Sequence, residues 1–231
     1  MTQYKTDRLD LRLMDCMELM RGYPDKHFEL AIVDPPYGIG AGSAQQGMWG
    51  ASRLEKKDWD CKIPDAEYFL ELFRVSKIQI IWGGNYFPLR PSRCFLIWDK
   101  GEGFKGRDFA ECEQAWCSLD ANAKIFKHDP LAKGDYRGKI HPTQKPIALY
   151  RWLLANYAKA GDEILDTHLG SMSHAIAAHY AGLHLTGCEL DPDYFAAGIE
   201  RVKRETAQMD MFADAKKIAL PEQLSLDTLS A

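Results

Sequence analysis

The sequence predicts an α/β protein built on a doubly wound, mostly parallel sheet. Three observations carry this. Short apolar runs of strand length alternate with longer runs of helical period from residue 9 to residue 206, an order that places helices on both faces of a parallel sheet. Proline and glycine punctuate the helical runs in the expected sense: Pro146 and Pro192 suit first turns, and Gly161 and Gly182 suit ends. Apolar residues make up 46% of the 231-residue chain, enough to build a core.

In chain order the strand runs are LDLRLM (9–14), FELAIVD (28–34), IQIIWG (78–83), CFLIWD (94–99), EQAWCSL (113–119), EILDT (163–167) and HLTGCEL (184–190). The helical runs between them are DAEYFLELFRVSK (65–77), PIALYRWLLANYAKA (146–160), HAIAAHYAG (174–182) and PDYFAAGIERVKRET (192–206), each with apolar residues at helical spacing. Residues 38–63, rich in Gly, Ala, Ser and Gln, read as a long loop directly after Asp34. Loops of that length are usually functional or mobile. Residues 100–140 combine glycines, short strands and basic residues. The expected organisation is one domain over 1–206, with small insertions at about 38–63 and 100–140, followed by a polar tail, 207–231, without fixed order.

Several classes are disfavoured. No run reaches the roughly 18 apolar residues needed to span a bilayer, and MTQYKTDRLD lacks the apolar stretch of a signal peptide. A cytoplasmic protein is the expectation. Six cysteines, at 16, 61, 94, 112, 117 and 188, form no C-x-x-C pair and read as small apolar residues. His174, His179 and His184 recur every five residues, which suits no single helix face, so no metal site is expected. The net charge is −4. Basic residues nevertheless cluster, as Arg90, Arg93, Lys100, Lys105 and Arg107, and again from Lys124 to Lys145. A local patch matters more to a phosphate backbone than the global sum, although on charge alone a solvated surface is the stronger reading.

Three segments carry chemistry. LAIVDPPYGIG (30–40) ends an apolar strand on Asp34, Pro35, Pro36 and Tyr37. Asp and Pro also end strands for plain turn reasons. Two prolines fix the backbone, however, and leave the Pro35 carbonyl beside the Asp34 carboxylate as paired acceptors for an NH2 group, with the Tyr37 ring as a stacking face. The second segment, ILDTHLGSMSHAIAAHYAG (164–182) followed by LTGCELD (185–191), is a strand ending at Asp166, a turn with Gly170, a helix, and a strand ending at Glu189. That is the layout of a nucleoside-binding βαβ unit, whose later acid holds ribose hydroxyls. Without a G-x-G-x-x-G it disfavours a dinucleotide. The third, HPTQKP (141–146), precedes a helix and alone reads as a helix start.

Together, and in this order, these segments resemble the amino-group DNA methyltransferases that use S-adenosylmethionine, in the branch whose D-P-P-Y precedes the cofactor loop. LMDCMELMRGYPDKHFELAIVDPPYG also resembles that family's opening segment, and the likeness covers about residues 8 to 206. The resemblance implies a Rossmann-like, seven-stranded methyltransferase fold with one antiparallel strand near an edge and a circularly permuted motif order. It implies catalysis by Asp34, Pro35, Pro36 and Tyr37. It places the cofactor among Asp15, Cys16, Asp34, Thr143, Gln144, Lys145, Asp166, His168, Leu169, Gly170, Ser171, Glu189 and Leu190. Asp15 and Cys16 would meet the adenine edge, Leu190 would pack on adenine, and Glu189 would hold the ribose. Family members carry glycine where this chain has Met172. A side chain there is expected to crowd the cofactor or to be forced into a turn that glycine adopts freely.

The implied partner is double-stranded DNA from which the target base swings out, with Trp49 and Trp59 of the long loop closing over it or serving as packing. DNA contacts are expected from Lys100, Lys105, Arg107, Lys133, Arg137 and Lys139, mostly to phosphate. A homodimer is also expected, on the family's habit. The leading acid of D-P-P-Y favours adenine N6 over cytosine N4, where this motif more often starts with Ser. Other readings are methylation of RNA or of a protein amide, and a catalytically impaired cofactor-binding DNA protein, which Met172 suggests.

Overall fold

The structure is a computed structural model and describes residues 1–41, 57 and 59–210. Nine strands form one sheet: β1 (Gln3–Lys5), β2 (Leu9–Leu13), β3 (Phe28–Val33), β4 (Ser76–Trp82), β5 (Phe95–Asp99), β6 (Cys112–Cys117), β7 (Lys124–Lys127), β8 (Glu163–Asp166) and β9 (His184–Glu189). Their spatial order is β1-β2-β9-β8-β3-β4-β6-β5-β7. The run β2, β9, β8, β3, β4 is parallel throughout. Strand β6 is antiparallel to both β4 and β5, and is the reversed strand expected near one edge. All seven predicted strands form. Two short edge strands extend them: β1, antiparallel to β2, and β7, parallel to β5.

Helices α1 (Cys16–Arg21), α2 (Ala66–Val75), α3 (Ile147–Tyr157), α4 (Ser173–Ala181) and α5 (Pro192–Asp210) complete the chain. Side chains alternate across the sheet. Leu30, Ile32, Ile80 and Trp82 pack with α3, α4 and α5. Ala31, Val33 and Ile81 pack with α1 and α2 on the opposite face. Residues 30–33 are therefore buried without a break, as a strand covered on both faces must be, and each large apolar side chain so buried contributes about 1.5–3 kcal/mol.

Some expectations need correction. Helix α1 was not foreseen, and Pro146 caps α3 rather than entering its first turn. Gly182 does close α4 at φ 70°. Gly161 sits four residues beyond the end of α3, in the turn into β8. Helix α5 continues to Asp210, so the first residues assigned to the polar tail are helical; the rest of the tail lies outside the described residues, as do Trp49 and most of the 38–63 loop. Among the described residues no helix is long and apolar enough to cross a membrane.

The topology sets where a ligand can sit. From β8 the chain crosses through α4 to β9, towards β2. From β3 it crosses through α2 to β4, in the opposite direction. The neighbours β8 and β3 therefore flank a switch point, and the crevice beyond their carboxyl ends is the usual binding place in such sheets. Asp15, Asp34, Asp166 and Glu189 all lie at that edge, and reversed β6 brings its first residues, including Glu113, to it as well.

Candidate active site

A cavity of about 370 Å³ opens at this edge. Its wall includes Asp15, Cys16, Asp34, Pro36, Thr143, Gln144, Lys145, His168, Leu169, Gly170, Ser171, Glu189 and Leu190, which are thirteen of the residues singled out from sequence. The loop after β8 folds back on β9. The Leu169 amide donates to the Cys188 carbonyl at 3.0 Å, and the Gly170 amide donates to Glu189 Oε2 at 2.8 Å. The Asp191 amide donates to Glu189 Oε1 at 2.9 Å. Each carboxylate oxygen is thus fixed by one N–H and keeps a lone pair for a further donor. Burial raises the pKa of Glu189. Leu190 beside it is 70% exposed although it is on the cavity wall, an apolar surface placed for a flat ring.

Asp15, on the cavity wall, and Asp166, beneath it, also hold the local backbone. Asp15 Oδ1 accepts from the Met17 and Glu18 amides at 2.8 and 3.2 Å and caps α1. Burial, then the neighbouring Asp15, raises the Cys16 thiol to about 11. Asp166 is not on the wall. Its Oδ2 lies 2.9 Å from His174 Nδ1, and its Oδ1 accepts from the His168 amide at 3.0 Å. It shapes the loop from beneath.

Met172 caps α4 at φ 59°, ψ 24°, so the left-handed half of the sequence expectation holds and the crowding half does not. The side chain is fully buried and absent from the cavity wall. It fills the space over Gly198 of α5, where a Cβ would come within 2.8 Å of Met172 Cγ and Sδ.

The Asp34 end of the cavity is packed with charge. Tyr37 Oη donates to Asp34 Oδ1 at 2.6 Å, and Lys145 Nζ donates to Asp34 Oδ2 at 2.5 Å. Lys145 Nζ also lies 3.1 Å from Glu113 Oε2, whose other oxygen pairs with Lys100 Nζ at 2.7 Å. Burial, opposed by Lys145 and reinforced by Glu113, raises the pKa of Asp34. Burial alone would raise Glu113 too, but Lys145 and Lys100 together hold it down to about 2. Two cations face Glu113 and one faces Asp34, so Asp34 is the more basic of the two carboxylates.

Pro35 is buried behind this turn, and no donor among the described residues engages its carbonyl. Asp60 pins the turn, accepting from the Tyr37, Gly38 and Ala41 amides at 2.6, 2.9 and 2.7 Å. The expected open face of Tyr37 is corrected. Its ring stacks on Tyr86 with centroids 5.0 Å apart, and Gly83 approaches so closely that a Cβ there would fall 2.2 Å from the ring. Tyr37 holds Asp34 by its hydroxyl instead.

Trp59, named from sequence as a closing or packing residue, is on the wall, and residues without an assigned role line it too: His141, Tyr150, Thr167, Asp191 and Tyr194. His141 heads the HPTQKP segment, a signal that was present but unassigned. Burial, then the Lys139 and Lys145 charges, lowers it to about 3. Burial lowers His168 to about 4. Gln144 is on the wall, yet its side chain accepts from the Ile140 amide at 3.2 Å and donates to the Asp135 carbonyl at 3.2 Å.

Among the expected DNA contacts, Lys105, Arg107, Lys133 and Arg137 are exposed. Lys139 is half-buried over Tyr136, and burial lowers it to about 8. Lys100 is corrected: it is buried against Glu113 and cannot reach a phosphate.

Comparison with known proteins agrees with this geometry. Residues 104–200 match the family model described as DNA methylase. A relative from Escherichia coli (strain K12), YubD, named as a methylase, is 26% identical over 227 residues, covering 90% of this chain and 96% of its own. The DNA adenine methyltransferase YhdJ of the same organism is 34% identical over 62 residues, 27% of this chain and 21% of its own. The fold is shared with the M1.HpyAVI–SAM complex (17% identity, TM-score 0.56, 84% of this chain and 99% of that one). It is shared equally with the PvuII DNA methyltransferase, cytosine-N4-specific (14% identity, TM-score 0.56, 92% and 95%). The chain is thus similar over residues 104–200 to the DNA methylase family, whose methyl donor is S-adenosylmethionine, and over 90% of its length to a methylase.

Proposed function

We propose that the protein methylates the exocyclic N6 amino group of adenine in duplex DNA after the base has swung out. One observation carries the reading: Asp34 opens onto the same cavity as Glu189, which puts an amino-group acceptor and a ribose-diol acceptor on one wall. The cavity is within the roughly 300–1,000 Å³ of small-ligand sites. Glu189 would hold the ribose hydroxyls, Leu190 and Cys16 the adenine, and the 168–171 loop with Thr143 the methionine end. Met172 keeps clear of that space. Bound there, the cofactor supplies an electrophilic sulfonium methyl.

An exocyclic amino nitrogen shares its lone pair with the ring and is a poor nucleophile. The Asp34 carboxylate and the Pro35 carbonyl would each accept one of its N–H groups. This would draw the nitrogen towards tetrahedral geometry and free its lone pair for the methyl group. Asp34, the more basic carboxylate of the site, would take the proton that the amino nitrogen gives up when it accepts the donor's methyl group. Positioning and fixed charge supply most of the effect.

Swinging the base out costs a few kcal/mol. Lys105, Arg107, Lys133 and Arg137 would meet the phosphates that flank it. The test is Asp34→Ala: methyl transfer to DNA falls by at least about 10³-fold, while cofactor binding by calorimetry stays within about threefold. Retained turnover would remove the mechanism. Cytosine N4 is the second reading, favoured by the shared fold with a cytosine-N4-specific enzyme. The leading acid Asp34 and the stretch similar to a DNA adenine methyltransferase favour adenine.

A further inference from the structure

The geometry points to Glu113 as a positioning residue for methyl transfer: it receives the Lys145 ammonium when the target amino group takes its place on Asp34. The inference rests on the amino-methylation reading above. In the present state both Asp34 oxygens are engaged, Oδ1 by the Tyr37 hydroxyl at 2.6 Å and Oδ2 by Lys145 at 2.5 Å. An incoming N–H must displace one of these donors or share an oxygen with it. Lys145 is 3% exposed, so its ammonium cannot retreat into water. Unpaired in the interior it would be costly. Glu113 Oε2 offers the alternative. It lies 3.1 Å from Lys145 Nζ, is fully buried, and among the described residues has no aligned hydrogen-bond donor. Lys100 anchors the other oxygen of Glu113 at 2.7 Å, which keeps that carboxylate charged and fixed. Two carboxylates and two ammoniums form a neutral set, so moving Lys145 from one acceptor to the other leaves no uncompensated charge. Glu113 is outside the motifs and off the cavity wall. It acts through Lys145 and not on the base.

The experiment is Glu113→Gln, assayed for transfer of labelled methyl to DNA across pH, beside wild type and Glu113→Asp. The glutamine cannot compensate the ammonium, so Lys145 stays on Asp34. Turnover at saturating cofactor is expected to drop by about 10- to 100-fold, the range carried by one charge-assisted hydrogen bond. The cofactor's KM should stay within about threefold. The acid limb of the kcat profile should move to lower pH, because Asp34 loses a neighbouring anion and keeps its cation. Glu113→Asp retains the charge and should lose less. Thermal melting checks that each variant is folded, and if the glutamine variant does not fold, Glu113→Asp, whose shorter side chain draws the carboxylate away from Lys145, must still lower turnover with the cofactor's KM and the acid limb unmoved. Wild-type turnover in Glu113→Gln, or reduced turnover in that variant with an unmoved acid limb, would overturn the proposal. Absence of transfer by the wild-type chain would instead overturn the methylation reading on which it rests.

Discussion

Along one sheet edge, the ends of β8 and β9 present an open wall, while the ends of β3 and β6 present a closed knot of charge. At the first, Glu189 is held by two backbone amides and Leu190 stands 70% exposed beside it. Among the described residues, each Glu189 oxygen there keeps a lone pair for a further donor. At the second, Tyr37, Asp34, Lys145, Glu113 and Lys100 satisfy one another in a chain of contacts from 2.5 to 3.4 Å. A base can reach Asp34 only by displacing a partner or by sharing an oxygen with one. On the proposed function the open wall is the cofactor side and the charge knot the base side, so substitutions at the two should separate binding from turnover.

Asp34→Ala removes turnover on the base side, and the largest converse effect, on the cofactor side, is expected from Glu189→Ala. Loss of a buried ribose acceptor should weaken S-adenosylmethionine binding by about 30- to 100-fold, with turnover at saturating cofactor within about threefold of wild type, as calorimetry and steady-state rates would show. Equal losses in both quantities would break the division between the two sides.

Acid should act on the shared middle of the cavity. Buried His141 and half-buried His168 titrate at about 3 and 4 in the fold, against an ordinary value of 6.5. Their folded pKa values are depressed, so the unfolded chain binds the extra protons. Stability is therefore full above about pH 6.5 and is lost as pH falls towards 4, with each histidine contributing up to about 1.4 kcal/mol per pH unit. Chemical denaturation at several pH values would show the slope, and replacing His168 with Asn should reduce it.

Met172 provides a smaller effect of the opposite kind. Met172→Gly relieves about 1–2 kcal/mol of left-handed strain but empties the buried space over Gly198, a loss of about 2–5 kcal/mol. The net expectation is a fold destabilised by about 1–3 kcal/mol with cofactor affinity unchanged or higher. A clear fall in affinity would mean that Met172 supports the binding wall. The smallest effect belongs to the surface: Lys133→Ala with Arg137→Ala should weaken DNA binding several-fold without sequence preference and reduce the salt slope by about 2.

The strands were legible because residues such as 30–33 are apolar without interruption, a signal that burial on both faces imposes. Strands β1 and β7 were not, since QYK and KIFK are short, polar and exposed edge pieces. Helix α1 hid behind a strand run, although Asp15 before it was a capping signal. Most of the cavity wall could be read because its residues follow strand ends directly. The charge knot could not be read, because it depends on pairing between distant segments. Lys100 looked like a surface cation until the β5–β6 hairpin, with Trp98 opposite Glu113, brought an acid beside it. The role of Tyr37 turned on Gly83 and Tyr86, which occupy the ring face that sequence alone left open.

The central claim is that fixed acceptors at Asp34 direct a methyl group to an exocyclic amino nitrogen. Enzymatic digestion of DNA incubated with the protein and labelled S-adenosylmethionine, followed by identification of the labelled nucleoside, tests it most directly. The expected product is N6-methyladenine, and N4-methylcytosine would keep the chemistry while changing the base. Label on a ring carbon, or none on DNA at all, would contradict the account.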